Sequence, residues 1–367
     1  MKSSSSQESH HQEEGTQYLS ICRKIFLFLL LSIIFATYVF YHRQAFHHRQ
    51  KPFIVTVNAT STMILVWHWP FGYSTQLNPN ICSETYSIPN CILVANRSWF
   101  HKADFVVFHN RELIEHSQRL PTDHPRSQHE RWVWFSLESP ENNGNLRPFA
   151  GYFNYTMSYK RNSDFYIPYG RLVPKAPVKG MTVGDFIPKH KSSLACWVVS
   201  NFLPRHRRTS VYNQLKNVIQ VDVYGHPFNK HLSQSSLLPT ISRCYFYLSF
   251  ENSEFKDYIT EKFWKNALLG GAVPVVLGAT RADYEAVAPK GSFIHVDDFS
   301  SVEELGTFLK DLAEDKERYA SYFTWHLNYS VQTGWGWEQI MCSICNMTDR
   351  LQPKQVYKDL QAWEWSR

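Results

Sequence analysis

Phe250–Gly278, FENSEFKDYITEKFWKNALLGGAVPVVLG, decides the fold. It opens at the end of an apolar, aromatic-rich run, Cys244 to Phe250 (CYFYLSF), which reads as a buried strand. A polar turn follows, then a short helix that Asp257 or Thr260 can cap and whose Phe263, Ala267 and Leu268 share one face. Gly270 and Gly271 end it as a C-cap does, and Ala272–Leu277 is a second apolar strand. Strand, helix, strand is one unit of a parallel sheet. Such a unit brings the helix start to the carboxyl end of the first strand, the edge where open α/β sheets bind ligands. Unpaired N–H groups there favour phosphate. Glu261 and Lys262 occupy the first turn. A carboxylate there can accept two ribose hydroxyls and an ammonium can neutralise a diphosphate; the alternative is ordinary helix-start decoration.

Upstream, Leu172–Lys191 is rich in Pro, Gly and Lys and reads as an interdomain linker. Leu194–Ser200 is a strand, Asn201–Arg208 a basic loop, Thr209–Leu215 a helix and Val218–Tyr224 a further strand. A basic loop after the first strand of a sheet is a natural diphosphate clamp, with Arg205, Arg207 and Arg208 as candidates against a merely solvated charge run. Further upstream, Met63–Trp67, Asp104–His109 and Arg131–Leu137 are three apolar strands, which suggests a second α/β unit facing the first. The last runs into Glu138-Ser139-Pro140. Residues before proline avoid helix, so Glu138 sits at a strand's carboxyl end beside a turn. Downstream, Ser300 and Ser301 with Glu303 and Glu304 form a capping box, and Val302, Leu305, Phe308, Leu309 and Leu312 mark the core face of a helix. Lys354–Arg367 is a tail that packs back as a terminal helix.

At the amino end, Arg23 and Lys24 precede Ile25–Tyr41, an apolar run without a charge. At about 1.5 Å per residue it reaches roughly 25 Å, enough for a thin bilayer. A cleaved signal peptide is the rival reading, against which stand the long preceding tail and the lack of a small-x-small cleavage site. Arg43, Arg49 and Lys51 follow the span, so charge does not set orientation. The acceptor sequons do: Asn58-Ala59-Thr60, Asn96-Arg97-Ser98, Asn154-Tyr155-Thr156, Asn328-Tyr329-Ser330 and Asn346-Met347-Thr348 all follow it, which favours a lumenal body. The expected organisation is a cytosolic tail (1–24), a signal-anchor (25–41), a stem (42–61), an α/β domain (62–175), a second α/β domain (176–350) and a carboxyl-terminal tail (351–367). The length of 367 residues agrees with two domains. Aromatics at 16% and charged residues at 19% argue for ordered domains. A net charge of +6 suits an anionic substrate, and no basic run interleaved with aromatics suggests nucleic acid.

Cys22 lies at the membrane edge and six cysteines remain in the body: Cys82, Cys91, Cys196, Cys244, Cys342 and Cys345. An even count in an oxidising compartment suggests disulfides, with many pairings possible. Cys342-Ser343-Ile344-Cys345 also reads as half a zinc site or a redox pair, though no second CxxC supports zinc.

FENSxxxDYITEKFWxNAL followed by GAVPVVLG resembles the signature of the α-1,3-fucosyltransferases, family 10 of the glycosyltransferases. The resemblance extends more weakly from about Met63 to Cys345. It implies a GT-B fold: two facing Rossmann-like α/β domains behind one amino-terminal transmembrane helix, in a single-pass type II Golgi membrane enzyme. It implies GDP-fucose as donor, N-acetyllactosamine-terminated glycans as acceptor, and inverting transfer of L-fucose to the 3-OH of GlcNAc. WFSLESP is similar to the segment that carries the family's base, which makes Glu138 the catalytic base. Arg208 is the diphosphate ligand it singles out; Tyr258 and Glu261 would hold the ribose, Lys262 the diphosphate, and Asn252 would line the donor site. Val106–Glu112 (VVFHNRE) resembles the acceptor-recognition segment, with Arg111 at the position where a basic residue goes with α-1,3 linkage and His109 beside it. Asn110 stands where the family often has a second histidine. The resemblance also implies that Cys196 pairs with Cys244, and that Cys82 and Cys91 pair with Cys342 and Cys345. The chain has no Asp-x-Asp, since Asp297 and Asp298 are adjacent, so no metal cofactor is expected and cations must stabilise the leaving diphosphate. A second copy of the chain is a further candidate partner. The alternatives are a fucosyltransferase acting on the N-glycan core or a protein acceptor, and a non-catalytic membrane-anchored glycan-binding protein.

Overall fold

In the computed structural model, residues 27, 29–38, 61–73, 75–115, 119–352 and 355–366 are described. The chain divides into two units, Met1–Thr56 and Val57–Arg367. In the first, 29–38 are helical and exposed. Among the described residues no helix is long and apolar enough to cross a membrane. The ends of the expected anchor at 25–41, most of the stem at 42–61, Cys22 and the Asn58 sequon lie outside them.

The second unit holds two parallel sheets. The first comprises β1 (Thr62–Val66), β2 (Cys91–Val94), β3 (Phe105–His109), β4 (Arg131–Ser136), β5 (Tyr155–Ser158) and β6 (Phe165–Tyr166), in the order β2-β1-β3-β4-β5-β6. After β7 (Gly170–Pro174) come β8 (Ser193–Val198), β9 (Val221–Tyr224), β10 (Cys244–Phe250), β11 (Val273–Leu277) and β12 (Ile294–His295), ordered β12-β11-β10-β8-β9. Strands of such sheets are covered on both faces, which is why their sequences are near-continuous apolar runs. Val106, Val107 and Phe108 of β3 and Phe246, Tyr247 and Leu248 of β10 are wholly buried. Gly225, just past β9, has φ +118°, and a Cβ there would lie 1.9 Å from the Val199 carbonyl oxygen, so only glycine fits.

The linker expectation needs correction. Leu172–Pro174 belong to β7, which pairs antiparallel with β13 (Tyr329–Thr333), Leu172 opposite Val331. The reason is packing: Tyr169, Leu172, Tyr329 and Val331 cover a core of Phe263, Trp264 and Tyr284.

The helix of the deciding stretch is also different in kind. Lys262–Leu269 winds as a π-helix. The Lys262 carbonyl accepts from the Ser249 hydroxyl of β10 at 3.0 Å, a partner from outside the helix. Of the two expected caps only Thr260 takes the position: its hydroxyl accepts from the Lys262 N–H at 3.5 Å and its carbonyl from the Phe263 N–H at 3.1 Å. Asp257, at φ +64°, binds Arg161 instead, and the Thr260 hydroxyl donates to Glu251. Gly271 at φ +73° leaves the helix in the left-handed region.

Val302–Glu314 is a helix with Leu305, Leu309 and Leu312 buried. The Ser301 hydroxyl accepts from the Glu304 N–H at 3.1 Å, while the Ser300 N–H donates to the Glu304 carboxylate at 2.9 Å.

The chain's end returns to the first sheet. Ile340, Met341, Cys342 and Ile344 pack in the core with Ile64, Val107 and Phe135. The disulfides Cys82–Cys342 and Cys91–Cys345 fix this return, and Cys196–Cys244 joins β8 to β10, the pairing the family resemblance implies. The last helix, Leu360–Glu364, docks through Lys160, whose Nζ donates to the carbonyls of Trp363 and Glu364, both at 2.9 Å. The Asn143 amide donates to the Glu364 carboxyl at 2.6 Å.

Glu364 is fully buried, and burial pushes its carboxyl up to about 7 against the opposing pull of Lys160 and Asn143. An unfolded glutamate ionises near about 4.3. Between those values the folded chain holds a proton that the unfolded chain has released, so this group's contribution to stability falls as pH rises. Glu364→Gln removes that slope. Its stability relative to wild type should rise by roughly 2–3 kcal/mol between pH 5 and pH 7.5. Urea unfolding at both pH values checks it; an unchanged difference would show that Glu364 does not titrate in this window.

Candidate active site

Each sheet has one place where strand order reverses. In the first, β2 lies on one side of β1 and β3 on the other; in the second, β9 and β10 flank β8 in the same way. Loops leaving the carboxyl ends of such strands diverge and leave a crevice. The loop after β8 leads to Arg208 and that after β10 carries Glu251 to Lys262. The segment after β1 carries His68 and Phe71, His109 ends β3, Arg111 lies in the short helix that follows it, and Glu138 follows the adjacent β4.

At the second-sheet crevice the organising group is Glu251, which sequence reasoning quoted without assigning a role. It is buried at 3% exposure. One carboxylate oxygen accepts from the Thr260 N–H at 2.8 Å, and the other lies 3.0 Å from the Lys262 ammonium. Burial raises the Glu251 carboxyl and Lys262 opposes that rise. Burial would likewise lower the Lys262 ammonium, but Glu251 and Glu261 hold it above its usual value. Lys262 therefore remains a cation, tied also to the Thr260 hydroxyl at 2.8 Å and to Glu261 at 3.2 Å. Glu261 itself is exposed. Gly278, at the end of β11, admits this arrangement: a Cβ there would lie 2.8 Å from the Glu251 Cβ.

Arg207 and Arg208 differ sharply. Arg207 is exposed and bound to Glu254 and Asp297, so its charge is compensated. Arg208 is 3% exposed and donates to main-chain oxygens of Phe250, at 3.3 Å, and Asn201. Its Nε is buried without a protein partner, and burial lowers its pKa. A buried guanidinium with no carboxylate in ion-pair contact among the described residues is suited to an anion. The Asn252 side-chain oxygen is likewise buried without a protein partner. Next to Gly278 opens a cavity of about 640 Å³ lined by Glu254, Lys256, Thr280 and Asp283 among others; Arg208, Asn252, Glu261 and Lys262 do not line it.

Glu138 is half-buried and its backbone is fixed on both sides. The Ser136 hydroxyl accepts from its N–H at 3.1 Å, and the Asn143 amide donates to its carbonyl at 3.1 Å. The turn after β4 touches the turn after β10: the Ser139 hydroxyl donates to that of Ser253 at 2.9 Å, and Ser253 donates to Glu141 at 2.8 Å. The two rims thus meet beside Glu138 and Asn252. Between them lie Tyr169 and Tyr258, ring centroids 6.4 Å apart. Burial pushes both phenols well above their ordinary value, and the carboxylates of Glu138, Glu251 and Glu261 add to the effect. Carboxylates from both sheets therefore bear on one pair of hydroxyls. Tyr258 is 3% exposed and its ring packs against Tyr159 at 5.0 Å, so it offers a ligand little more than an edge.

His109 is buried, its ring nitrogen bonded to the Glu112 carboxylate, with Phe71 and Phe135 rings each 5.3 Å away. Glu112 also accepts from the Phe71 N–H at 2.8 Å. Arg111 is exposed, bonded to Glu115 at 2.7 Å, with its guanidinium carbon 5.0 Å from the Phe71 ring centre. Arg111 is thus exposed with its charge met by Glu115, and His109 supports Phe71 and the loop from behind. Glu112, Tyr169 and Glu251 escaped sequence reasoning, because their partners are brought to them by the fold.

Among the described residues, no group of three or more His, Cys, Asp or Glu is placed to hold a metal. Asn96, Asn328 and Asn346 are exposed. Asn154 is buried, its Nδ2 donating to the Gln355 carbonyl at 2.9 Å, so a glycan there requires that bond to be broken or never formed.

Residues 188–363 match the model of the glycosyltransferase family 10 (fucosyltransferase) carboxyl-terminal region, and residues 59–170 that of the fucosyltransferase amino-terminal region. Alpha-(1,3)-fucosyltransferase 7 of Rattus norvegicus is 47% identical over 304 residues, covering 82% of this chain and 79% of that protein. The Homo sapiens protein of the same name is 46% identical over 305 residues, 82% and 85% of the two chains. 4-Galactosyl-N-acetylglucosaminide 3-alpha-L-fucosyltransferase 9 of Rattus norvegicus is 40% identical over 306 residues, 83% and 82%. A crystal structure of alpha1,3-fucosyltransferase with GDP superposes with a TM-score of 0.51 at 16% identity, over 84% of this chain and 96% of that one, a likeness of fold.

Proposed function

The chain belongs to glycosyltransferase family 10, and from that premise we propose that it transfers L-fucose from GDP-fucose to the 3-OH of GlcNAc in N-acetyllactosamine glycans, with inversion. Glu138 takes the proton of the acceptor hydroxyl as that oxygen bonds to the anomeric carbon. On the opposite face the bond from that carbon to the phosphate oxygen breaks, and its electron pair leaves with GDP. This is a single displacement without an enzyme nucleophile, as in inverting glycoside hydrolysis. Arg208 and Lys262 stabilise the departing diphosphate. Glu261, with the Tyr258 edge, holds the ribose, Asn252 lines the donor seat, and Arg111 with the His109-supported loop meets the acceptor. No metal takes part in this scheme. The two sheets act as the halves of a GT-B enzyme, donor on the second and acceptor over the first. The body is lumenal in the Golgi, behind the 25–41 anchor.

The supporting observation is that the turn carrying Glu138 and the loop leading to Glu261 are joined, by the Ser139–Ser253 hydrogen bond and by Tyr169, which donates to the Leu137 carbonyl and packs edge-on against Tyr258. The test uses the full chain in detergent, with GDP-fucose, neutral or sialylated N-acetyllactosamine, and chelator. Fucose on the 3-OH of GlcNAc is the expected product. Donor binding without transfer to either acceptor would redirect the reading to the N-glycan core or a protein hydroxyl. Absence of donor binding would leave a glycan-binding protein.

A further inference from the structure

A cavity apart from the site described above lies against the first sheet. It measures about 290 Å³ between the returning carboxyl-terminal segment and the first sheet, and it is lined by Tyr86, Tyr166, Arg171, Trp335, Gln339 and Asn346 among others. Its walls combine three half-buried aromatic rings with polar groups. The Gln339 side chain has no hydrogen-bond partner among the described residues. Aromatic faces beside an uncommitted amide suit a pyranose, whose C–H face stacks while its hydroxyls or acetamido group bond to the amide.

The occupant is indicated by the cavity's own rim. Asn346 is exposed, lines the cavity and heads the acceptor sequon Asn346-Met347-Thr348. A sugar attached there begins at the cavity's mouth. Tethering makes its docking intramolecular, so stacking alone can hold it. Asn96 and Asn328 are also exposed, but neither lines this cavity.

We propose that the Asn346-linked GlcNAc fills this cavity and acts as a covalent packing element between Trp335 and Tyr86, holding the returning segment against the first sheet. In the attachment step, Asn346 Nδ2 bonds to C1 of GlcNAc on a lipid-diphosphate oligosaccharide. The bond from C1 to the diphosphate oxygen breaks, its electron pair leaves on the diphosphate, and the amide loses one proton. The inference rests on the lumenal placement proposed above.

The test uses the full chain from a secretory host that makes high-mannose glycans. Glycopeptide mass spectrometry reads occupancy at each sequon. Hydrogen exchange is then compared over residues 335–347 in three forms of the folded protein: untreated, trimmed by endoglycosidase to one GlcNAc, and fully deglycosylated. Protection should survive trimming and be lost on full removal, with exchange about fivefold faster or more. Asn346→Gln should reproduce the loss and Asn328→Gln should not. In Trp335→Ala, removing the glycan should change nothing further. Occupied Asn346 with unchanged exchange after full removal overturns the proposal. Glycans at Asn96 or Asn328 with Asn346 empty overturn it alone, whereas empty sequons throughout overturn the lumenal placement with it.

Discussion

Glu138→Gln lowers fucosyl transfer by about 10²–10⁴-fold, the usual worth of a positioned general base, and leaves donor affinity unchanged. A sugar hydroxyl is a poor nucleophile, so the proton must leave as the new bond forms. The amide of glutamine has the shape of the carboxyl but cannot take that proton. The fold should tolerate the change, since what fixes residue 138 is its backbone, held by Ser136 and Asn143. Among the described residues its side chain accepts one hydrogen bond, from the Asn142 amide at 3.3 Å, and a glutamine oxygen can accept it equally. The effect should therefore fall on kcat, with KM for GDP-fucose close to wild type. Steady-state kinetics with donor titration measure both. Activity within about tenfold of wild type would place the base elsewhere.

Glu251→Ala destabilises the body by about 3–5 kcal/mol, the range for breaking a buried ion pair from one side. The Lys262 ammonium, 17% exposed, loses its buried carboxylate, and the Thr260 N–H loses its acceptor at the helix start. Lys262→Ala should cost less. The Glu251 carboxyl is already raised by burial and can take a proton when its cation is gone, whereas the ammonium left by the first change has only exposed Glu261 nearby. Replacing both, Glu251→Leu with Lys262→Met, should restore much of the stability and still fail to bind GDP-fucose. That outcome separates the pair's role in folding from its role toward the diphosphate. Urea unfolding and donor binding on the three variants test the scheme. A loss under about 1 kcal/mol in Glu251→Ala would mean the pair is not the anchor of this loop.

Legibility in the sequence followed burial. β1, β3, β4, β8, β10 and β11 are covered on both faces, and each shows as an apolar run with edges within a residue or two of those observed. β5 (YTMS) and β7 (GRLVP) carry polar or turn residues, and their place depends on neighbours far along the chain, Val133 for one and Val331 for the other. The helix Lys262–Leu269 was legible as a helix but not as a π-helix, because Phe263, Ala267 and Leu268 share a face under either winding over so short a span. Glu138, Arg208 and Lys262 were assigned through the family motif. The fold adds what each offers for its proposed role: one is fixed by its backbone, one has no carboxylate in ion-pair contact among the described residues, one is held charged. Glu251 was invisible for the opposite reason. A glutamate after a strand looks like a turn residue until the chain curls back and sets Thr260 and Lys262 on it.

The disulfides Cys82–Cys342 and Cys91–Cys345 join residues 260 and 254 positions apart. A ribosome adds about 5–20 residues per second, so these first thiols wait roughly 13–50 s before their partners exist. Cys196 and Cys244, only 48 apart, can close within that interval. The half of the protein made first is thus the half completed last, and its thiols stay open to oxidation and mispairing while the later half matures. A transcript cut short before Cys342 yields a chain whose second sheet is stapled and whose first is not. Quality control would meet such a chain as two unpaired thiols beside an uncovered apolar face.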